Sequence, residues 1–281
     1  MICWRNLIRL CNPAERNTVH VPAAGWTRSS ASSSVLARGD RPISPRTPSP
    51  PTPSRLTLGI AGAGRMGQAI AASIDVAPEF ELAGIWSRGS ELEPIVSAAD
   101  VMIDFSLPAG TMTVLEAVAR YRTPLVCGVS GLTSVQMASL ERATNDIAIV
   151  YDRNMSLGIA VLDRIVRAAA AALGREFNVE ISETHHVHKK DAPSGTALKL
   201  GQAIADARGE DGTDAISFAS ERLDEVPGDH EVTLRSDTEI LTLAHSVTTR
   251  QVFVDGALRA ARWVADQPPG RYGMRDVLFG H

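Results

Sequence analysis

The segment at residues 56–76 restricts the fold more than any other part of the sequence. An apolar run, Leu56–Ala61, passes directly into Gly62-Ala-Gly-Arg-Met-Gly67, and Arg65–Val76 has apolar residues at helical spacing. In such a strand–turn–helix unit the first glycine permits the tight turn, the second lets the backbone approach a pyrophosphate, and the third lets helix contact strand. Free N–H groups at the helix start would face the phosphates. The segment predicts a dinucleotide-binding turn, with an ordinary tight turn as the alternative.

The rest of the chain predicts an α/β protein with two domains that contain different sheets. Up to residue 155, apolar strands alternate with helices, which indicates a Rossmann-like, doubly wound parallel sheet. Beyond residue 178, polar–apolar alternation predicts a smaller α+β domain with a mixed, largely antiparallel sheet. The expected strands are 81–86, 101–105, 124–127, 148–151, 178–185, 215–219, 230–235 and 239–247, and the expected helices are 110–121, 134–144, 158–173, 194–208 and 251–265.

The predicted domain boundaries follow from this change of pattern. Residues 56–155 are assigned to the dinucleotide-binding domain, and residues 156–250 to the second domain, whose sheet has one face towards solvent or a partner. The amphipathic helix at 251–265 could return to either domain, so residues 251–281 are a candidate for packing on the first.

Composition excludes several classes of function. Residues 1–55 carry eight Arg and two acidic residues, which gives them a net charge of +6. Because the whole chain has a net charge of −4, the remainder has −10. Nucleic-acid binding by the folded part is therefore not expected. The longest apolar runs are too short for a membrane span. The three cysteines form no disulfide framework, which fits a reducing compartment, and we expect a cytoplasmic protein.

Residues 1–55 are predicted to be a disordered, Arg-, Ser- and Pro-rich extension, because they hold half of the 16 prolines. Such a composition is also that of an organelle transit peptide. A dispensable tail or a start-site artefact is the other interpretation, and neither assigns catalytic chemistry to the segment.

Three strand ends are predicted to face the same crevice of the parallel sheet. The second strand ends in Ser87-Arg88 where a carboxylate would contact the ribose of NADH, so Arg88 favours the 2′-phosphate of NADPH unless it is simply solvated. Gly128 would let the nicotinamide or a ribose come close. Asn154 would either cap the next helix or bind the carboxamide.

The groups suited to acid–base chemistry are concentrated at residues 185–199. This run contains all three lysines of the chain and three of its seven histidines, whereas the other 25 basic residues are arginine. Lysine and histidine can exchange a proton near neutral pH, and arginine cannot. Ser194 is a natural N-cap, and the exposed amides of Gly195 and Thr196 at a helix start could hold a carboxylate.

A metal site built on His185, His186 and His188 is the less favoured alternative, because only Asp191 could join them as a fourth ligand. We expect no metal. Lys199, inside the following helix, is interpreted as a surface residue.

The run from Glu183 to Ala197 resembles the diagnostic segment E-x-H-H-x-x-K-x-D-A-P-S-G-T-A of the 4-hydroxy-tetrahydrodipicolinate reductase (dihydrodipicolinate reductase) family, which acts in diaminopimelate and lysine biosynthesis. The resemblance covers Leu56 to Gly280. It implies NADPH or NADH as cofactor, a small cyclic dicarboxylate as substrate and a homotetramer joined through the second sheet.

The resemblance also implies site residues. His185 would be the proton donor or acceptor, Lys189 a second proton donor, and His186, Gly195 and Thr196 would bind substrate. The cofactor contacts that the resemblance implies are Gly62, Ala63, Gly64, Arg65, Met66, Arg88, Gly128, Val129, Ser130, Asp152, Arg153, Asn154 and Met155.

The sequence departs from the family's pattern in several places. Its glycine turn is one residue shorter, and positions 87–100 and 209–215 are shortened relative to longer members. Ser87 replaces the acidic residue beside the ribose, Asp152-Arg153 stand where small residues or proline are usual, and residues 1–55 have no counterpart. The sequence therefore predicts a reductase of this kind. Another two-domain reductase, a non-catalytic NADPH-binding sensor and a metal-dependent hydrolase are the alternatives.

Overall fold

The computed structural model describes residues 55–280, so the predicted extension at 1–55 lies outside the described residues except for Arg55. In chain order the elements are β1 (Leu56–Ala61), α1 (Arg65–Val76), β2 (Phe80–Trp86), α2 (Glu93–Ala98), β3 (Val101–Asp104), α3 (Pro108–Tyr121), β4 (Leu125–Cys127), α4 (Ser134–Ala143), β5 (Ala148–Tyr151), α5 (Leu157–Leu173), a 3-10 turn (Gly174–Glu176), β6 (Asn178–His185), α6 (Gly195–Arg208), β7 (Ile216–Arg222), β8 (Asp229–Arg235), β9 (Ile240–Ser246), α7 (Gln251–Val264), β10 (Gly270–Tyr272) and α8 (Met274–Phe279).

The first sheet has six parallel strands in the order β2-β1-β3-β4-β5-β10. Strands β3, β4 and β5 are buried at every position, because helices cover both faces of the sheet. The order reverses between β1 and β3, and in such sheets ligands bind at the carboxyl ends of the two strands where the order reverses. The predicted doubly wound sheet is confirmed, and its reversal lies beside the glycine turn.

The second sheet has four strands in the order β7-β6-β8-β9. The β6–β7 pair is parallel, and the β6–β8 and β8–β9 pairs are antiparallel, as the mixed pattern predicts. Along β6, buried residues alternate with more exposed ones, so that Val179, Ile181, Glu183 and His185 share the buried face. The apolar residues of this face form one core with α5 and α6.

The sequence prediction missed three elements, namely α2, β10 and α8. Strand β10 has only three residues and is recognisable by its parallel pairing with β5. The segment after residue 251 thus completes the first sheet, and α7 contributes Val254, Ala257 and Ala261 to the core that includes β1 and β3. Within residues 55–280, no helix is both long enough and apolar enough to cross a membrane.

Candidate active site

The glycine turn has the geometry that its sequence predicts. Gly62 has φ +105°, and a methyl group there would lie 2.6 Å from the carbonyl oxygen of Phe105. A methyl group at Gly67 would lie 1.8 Å from the Gly62 carbonyl oxygen, so the helix contacts the turn only because residue 67 is glycine. Around Gly64 nothing lies within 4 Å of that position, which leaves its backbone open to a ligand. The packing roles assigned to Gly62 and Gly67 are confirmed.

A cavity of about 370 Å³ opens beside this turn. Its wall includes Gly62, Ala63, Gly64 and Arg88, and none of its lining residues is acidic. Arg65 and Met66 begin α1, whose N-cap Gly64 offers no side chain to the first N–H groups. Open amides at a positive helix end, with a guanidinium in the same cavity, suit the phosphates of a dinucleotide.

The segment after β4 packs against the residue that follows β3. A methyl group at Gly128 would lie 2.5 Å from the Phe105 ring, so packing against that ring already requires glycine. Val129 is buried and Ser130 is exposed next to it. The close approach predicted for a nicotinamide at Gly128 is therefore not needed to explain this glycine.

The loop after β5 connects the two sheets. Asp152 is buried, and its carboxylate accepts a hydrogen bond of 2.6 Å from Nζ of Lys199 on α6. The side-chain amide of Asn154 donates to Oγ1 of Thr196 at 3.1 Å. Through these contacts the loop holds the start of α6 at the carboxyl edge of the parallel sheet. Lys199 is exposed, as interpreted, but it also pairs with a buried carboxylate that the sequence could not show.

Asn154 does not cap the following helix. Its Oδ1 accepts from the backbone N–H of Ser156 at 2.9 Å, and the Ser156 hydroxyl caps α5 by accepting from Ile159 N. The capping alternative for Asn154 is therefore wrong. Met155, the next residue, is fully buried in the first core.

The start of α6 forms a cradle of backbone amides. Ser194 is the N-cap and accepts from the N–H of Ala197, as predicted, and Gly195 and Thr196 occupy the first turn. The Arg153 side chain lies over this turn, with Cδ 3.7 Å and Nη1 3.9 Å from where a methyl group on Gly195 would be. Arg153 makes no ion pair or hydrogen bond within the described residues, so its charge is available to an anion in the cradle.

The basic side chains of the predicted run separate in the structure. His185 ends β6 and is buried, Lys189 is mostly buried and pairs with Asp191 at 2.9 Å, and Lys190 is exposed. His186 is half-buried, whereas His188 is exposed and faces Glu225 at 3.3 Å. Among residues 55–280, no group of three or more His, Cys, Asp or Glu side chains could hold a metal ion.

Three residues beside His185 were missed. Glu183, on the same face of β6, accepts a hydrogen bond from Nδ1 of His185. Arg222 is the β7 neighbour of His185, and its guanidinium donates to both oxygens of Glu183 at 3.0 Å. His230 is the β8 neighbour of Glu183, and its ring packs edge-on against that of His185. The i, i+2 spacing of Glu183 and His185 could have indicated the first contact; nothing local indicates the other two.

The electrostatics of this group follow from its burial. Burial lowers the pKa of His185 below its ordinary value, and the Glu183 carboxylate opposes that shift without cancelling it. Burial raises the pKa of Glu183, but hydrogen bonds from Arg222, Ser220 and His185 outweigh burial and leave the pKa below its ordinary value. Glu183 is therefore ionised at neutral pH, while His185 can exchange its proton.

The parallel sheet, the glycine turn and the second sheet with its acid–base group define a two-domain oxidoreductase whose first domain binds a nicotinamide nucleotide. Two family models match the chain, "Dihydrodipicolinate reductase, N-terminus" over residues 56–155 and "Dihydrodipicolinate reductase, C-terminus" over residues 158–278. The chain belongs to the dihydrodipicolinate reductase family.

Individual relatives agree with this assignment. A 4-hydroxy-tetrahydrodipicolinate reductase from Zymomonas mobilis is 40% identical over 248 residues, which cover 80% of this chain and 98% of that protein. One from Halorhodospira halophila is 41% identical over 218 residues, covering 70% of this chain and 82% of that protein. The dipicolinate-bound dihydrodipicolinate reductase from Paenisporosarcina sp. TG-14 has the same fold, with a TM-score of 0.66 and 24% identity over 79% of this chain and 99% of that chain.

Proposed function

We propose that the chain reduces 4-hydroxy-tetrahydrodipicolinate to tetrahydrodipicolinate with NADPH. The observation that carries the proposal is that loop 152–155 brings the amide cradle of α6 to the edge of the sheet at which the glycine turn lies. A dicarboxylate held in the cradle would then face a nicotinamide bound at that edge. Loss of the 4-hydroxyl group as water would give a cyclic unsaturated imino dicarboxylate, and the cofactor would supply the hydride that goes to its C4.

The remaining roles belong to side chains around the cradle. His185 would place a proton on the carbon next to C4, so that hydride and proton together saturate one double bond. Lys189 and the amides of Gly195 and Thr196 would hold the carboxylates in the orientation needed for transfer, with Lys189 as a second proton donor. His186, half-buried beside Lys189, would contact the substrate from the other side of the loop.

NADPH is proposed as the preferred cofactor over NADH. Support comes from Arg88 in the nucleotide cavity and from the absence of a carboxylate among its lining residues. A guanidinium would attract a 2′-phosphate, whereas an acidic residue would repel it. Asp152 is another implied cofactor contact, but its carboxylate already accepts a hydrogen bond from Lys199. We therefore expect Asp152 to affect cofactor binding indirectly, by fixing the conformation of loop 152–155.

A homotetramer is proposed to form through the outer face of the second sheet. Within the described residues no helix covers this face, and its side chains are mostly small or polar, as in the cross-strand row Ala219, Ser182, Glu231 and Ala244. Small side chains let two sheets approach closely. Light scattering on the purified protein, compared with a Ser182→Arg variant, measures the assembly; a monomeric wild-type protein would contradict it.

The decisive test of function is NADPH oxidation at 340 nm after addition of freshly made dihydrodipicolinate synthase product. We expect oxidation by the wild-type chain and a fall in kcat of about 100-fold or more in His185→Gln and Lys189→Ala. Lys190→Ala is the matched control, because Lys190 is the exposed neighbour. NADPH binding without oxidation would indicate the sensor, and stoichiometric zinc in the purified protein would favour the hydrolase.

A further inference from the structure

Glu183 has a buried carboxylate, and each of its two oxygens accepts hydrogen bonds from more than one donor. Its side chain is inaccessible to solvent, and the Arg222 guanidinium binds it in a fork, with each oxygen 3.0 Å from a nitrogen. Oε2 also accepts from Nδ1 of His185, and Oε1 also accepts from the backbone N–H of Ser194 at 3.2 Å. Neither oxygen of the carboxylate is therefore without a donor.

The partners of this pair all belong to the proposed reaction centre. Ser194 is the N-cap that starts the amide cradle, and His185 is the proposed proton donor. Arg222 donates in addition to the backbone carbonyl oxygens of Lys189, at 3.3 Å, and Asp191. One buried ion pair therefore connects the imidazole, the lysine loop and the cradle, three parts that come from β6, the following loop and α6.

The hydrogen bond to Glu183 also decides which nitrogen of His185 faces the substrate. A carboxylate can only accept, so Nδ1 carries a proton and Nε2 is the nitrogen that gains and loses one. Glycine at position 228 keeps a side chain away from Nε2. Gly228 has φ +149°, and a methyl group there would lie 2.9 Å from Nε2 of His185. The ring is thus held from behind at Nδ1 and left open at Nε2.

We propose that Glu183 and Arg222 are positioning residues for the reduction. They hold His185 in the Nδ1–H tautomer with Nε2 directed at the substrate, and they fix the Lys189 loop and the α6 cradle relative to that ring. This inference rests on the proposed function. Arg222 keeps Glu183 ionised, so the carboxylate supports the imidazolium without taking its proton, and the proton leaves from Nε2 to the substrate carbon.

The test is Glu183→Gln, with Glu116→Gln as the control for loss of one carboxylate, since Glu116 is exposed on α3. We expect kcat to fall about 100-fold and the KM for NADPH to stay within twofold. Because the Glu183 charge opposes the lowering of the His185 pKa, its removal also moves the limb of the pH–kcat profile that reports His185 to lower pH. A merely structural residue would not move that limb.

A second measurement does not depend on the variant's folding or on activity. ¹⁵N NMR of histidine-labelled wild-type protein should show His185 in the Nδ1–H tautomer above its pKa. Glu183→Asp keeps the charge but shortens the side chain. Compared with Glu183→Gln, it should return the limb of the pH–kcat profile towards its wild-type position while kcat stays low. An Nε2–H tautomer, or a Glu183→Gln profile equal to that of Glu116→Gln, overturns the proposal. An inactive wild-type chain with the Nδ1–H tautomer would instead overturn only the proposed function.

Discussion

The ion pair between Asp152 and Lys199 leads to a prediction about the stability of the fold. The Asp152 side chain is 4% exposed and that of Lys199 is 41% exposed, with 2.6 Å between Oδ2 and Nζ. In Lys199→Met the apolar stem remains, but the buried carboxylate loses its short hydrogen bond and is left with long contacts from the N–H groups of Asn154 at 3.3 Å and Met274 at 3.4 Å.

The magnitude lies between two limits. Leaving a fully buried charge without its partner costs about 3–5 kcal/mol, and an exposed pair contributes about 0.2–1 kcal/mol. Because Lys199 is partly solvated, we expect Lys199→Met to lower the free energy of unfolding by about 1–2 kcal/mol. At about 2–4 °C per kcal/mol for a chain of this size, Tm should fall by about 2–8 °C.

Thermal unfolding of four proteins measures this coupling: wild type, Lys199→Met, Asp152→Ala and the double variant. Removing both partners leaves no uncompensated charge, so the double variant should be more stable than the sum of the single effects predicts, by about 1 kcal/mol. Lys190→Met controls for the loss of one positive charge. If Lys199→Met is as stable as Lys190→Met, or the two single effects are additive, the pair contributes nothing and the reasoning is refuted.

Two further predictions concern the cofactor and pH. Arg88→Ala should raise the KM for NADPH about 10- to 100-fold, because a hydrogen bond to a charged group contributes about 1.5–3 kcal/mol. The KM for NADH should stay within twofold. Steady-state kinetics with both cofactors measures this, and a parallel rise of the two KM values would contradict it. Burial above all, with the nearby charge of His185, lowers the pKa of His230 to about 3 from an ordinary 6.5. Below pH 6.5 the unfolded chain then binds a proton that the folded chain does not, so stability falls as the pH drops from 6.5 towards 3. The dependence of Tm on pH over this range should be shallower in His230→Gln than in wild type or in the exposed-site control His188→Gln, and equal slopes would contradict the assignment.

Glu183 and Lys199 both have partners that lie far away along the chain. Glu183 lay inside the recognised motif, and alternation in β6 placed it on the face of His185, yet its purpose depends on Arg222, 39 residues away. That contact comes from the pairing of β6 with β7, a choice of neighbour that alternation within one strand cannot specify. Lys199 has the spacing of a solvent-facing helical residue, and only the packing of α6 against loop 152–155 reveals its partner.

The sequence alone determined the features that depend on near neighbours along the chain. The glycine turn, the strand–helix alternation and the N-cap at Ser194 each require particular residues at short spacings, because backbone conformation and capping are local. The tertiary structure decided what depends on long-range contacts: the β10 strand beside β5, the ion pair that ties α6 to the nucleotide domain, and the fork of Arg222 behind Glu183. Burial gives those contacts their strength, and burial exists only after the two sheets have packed.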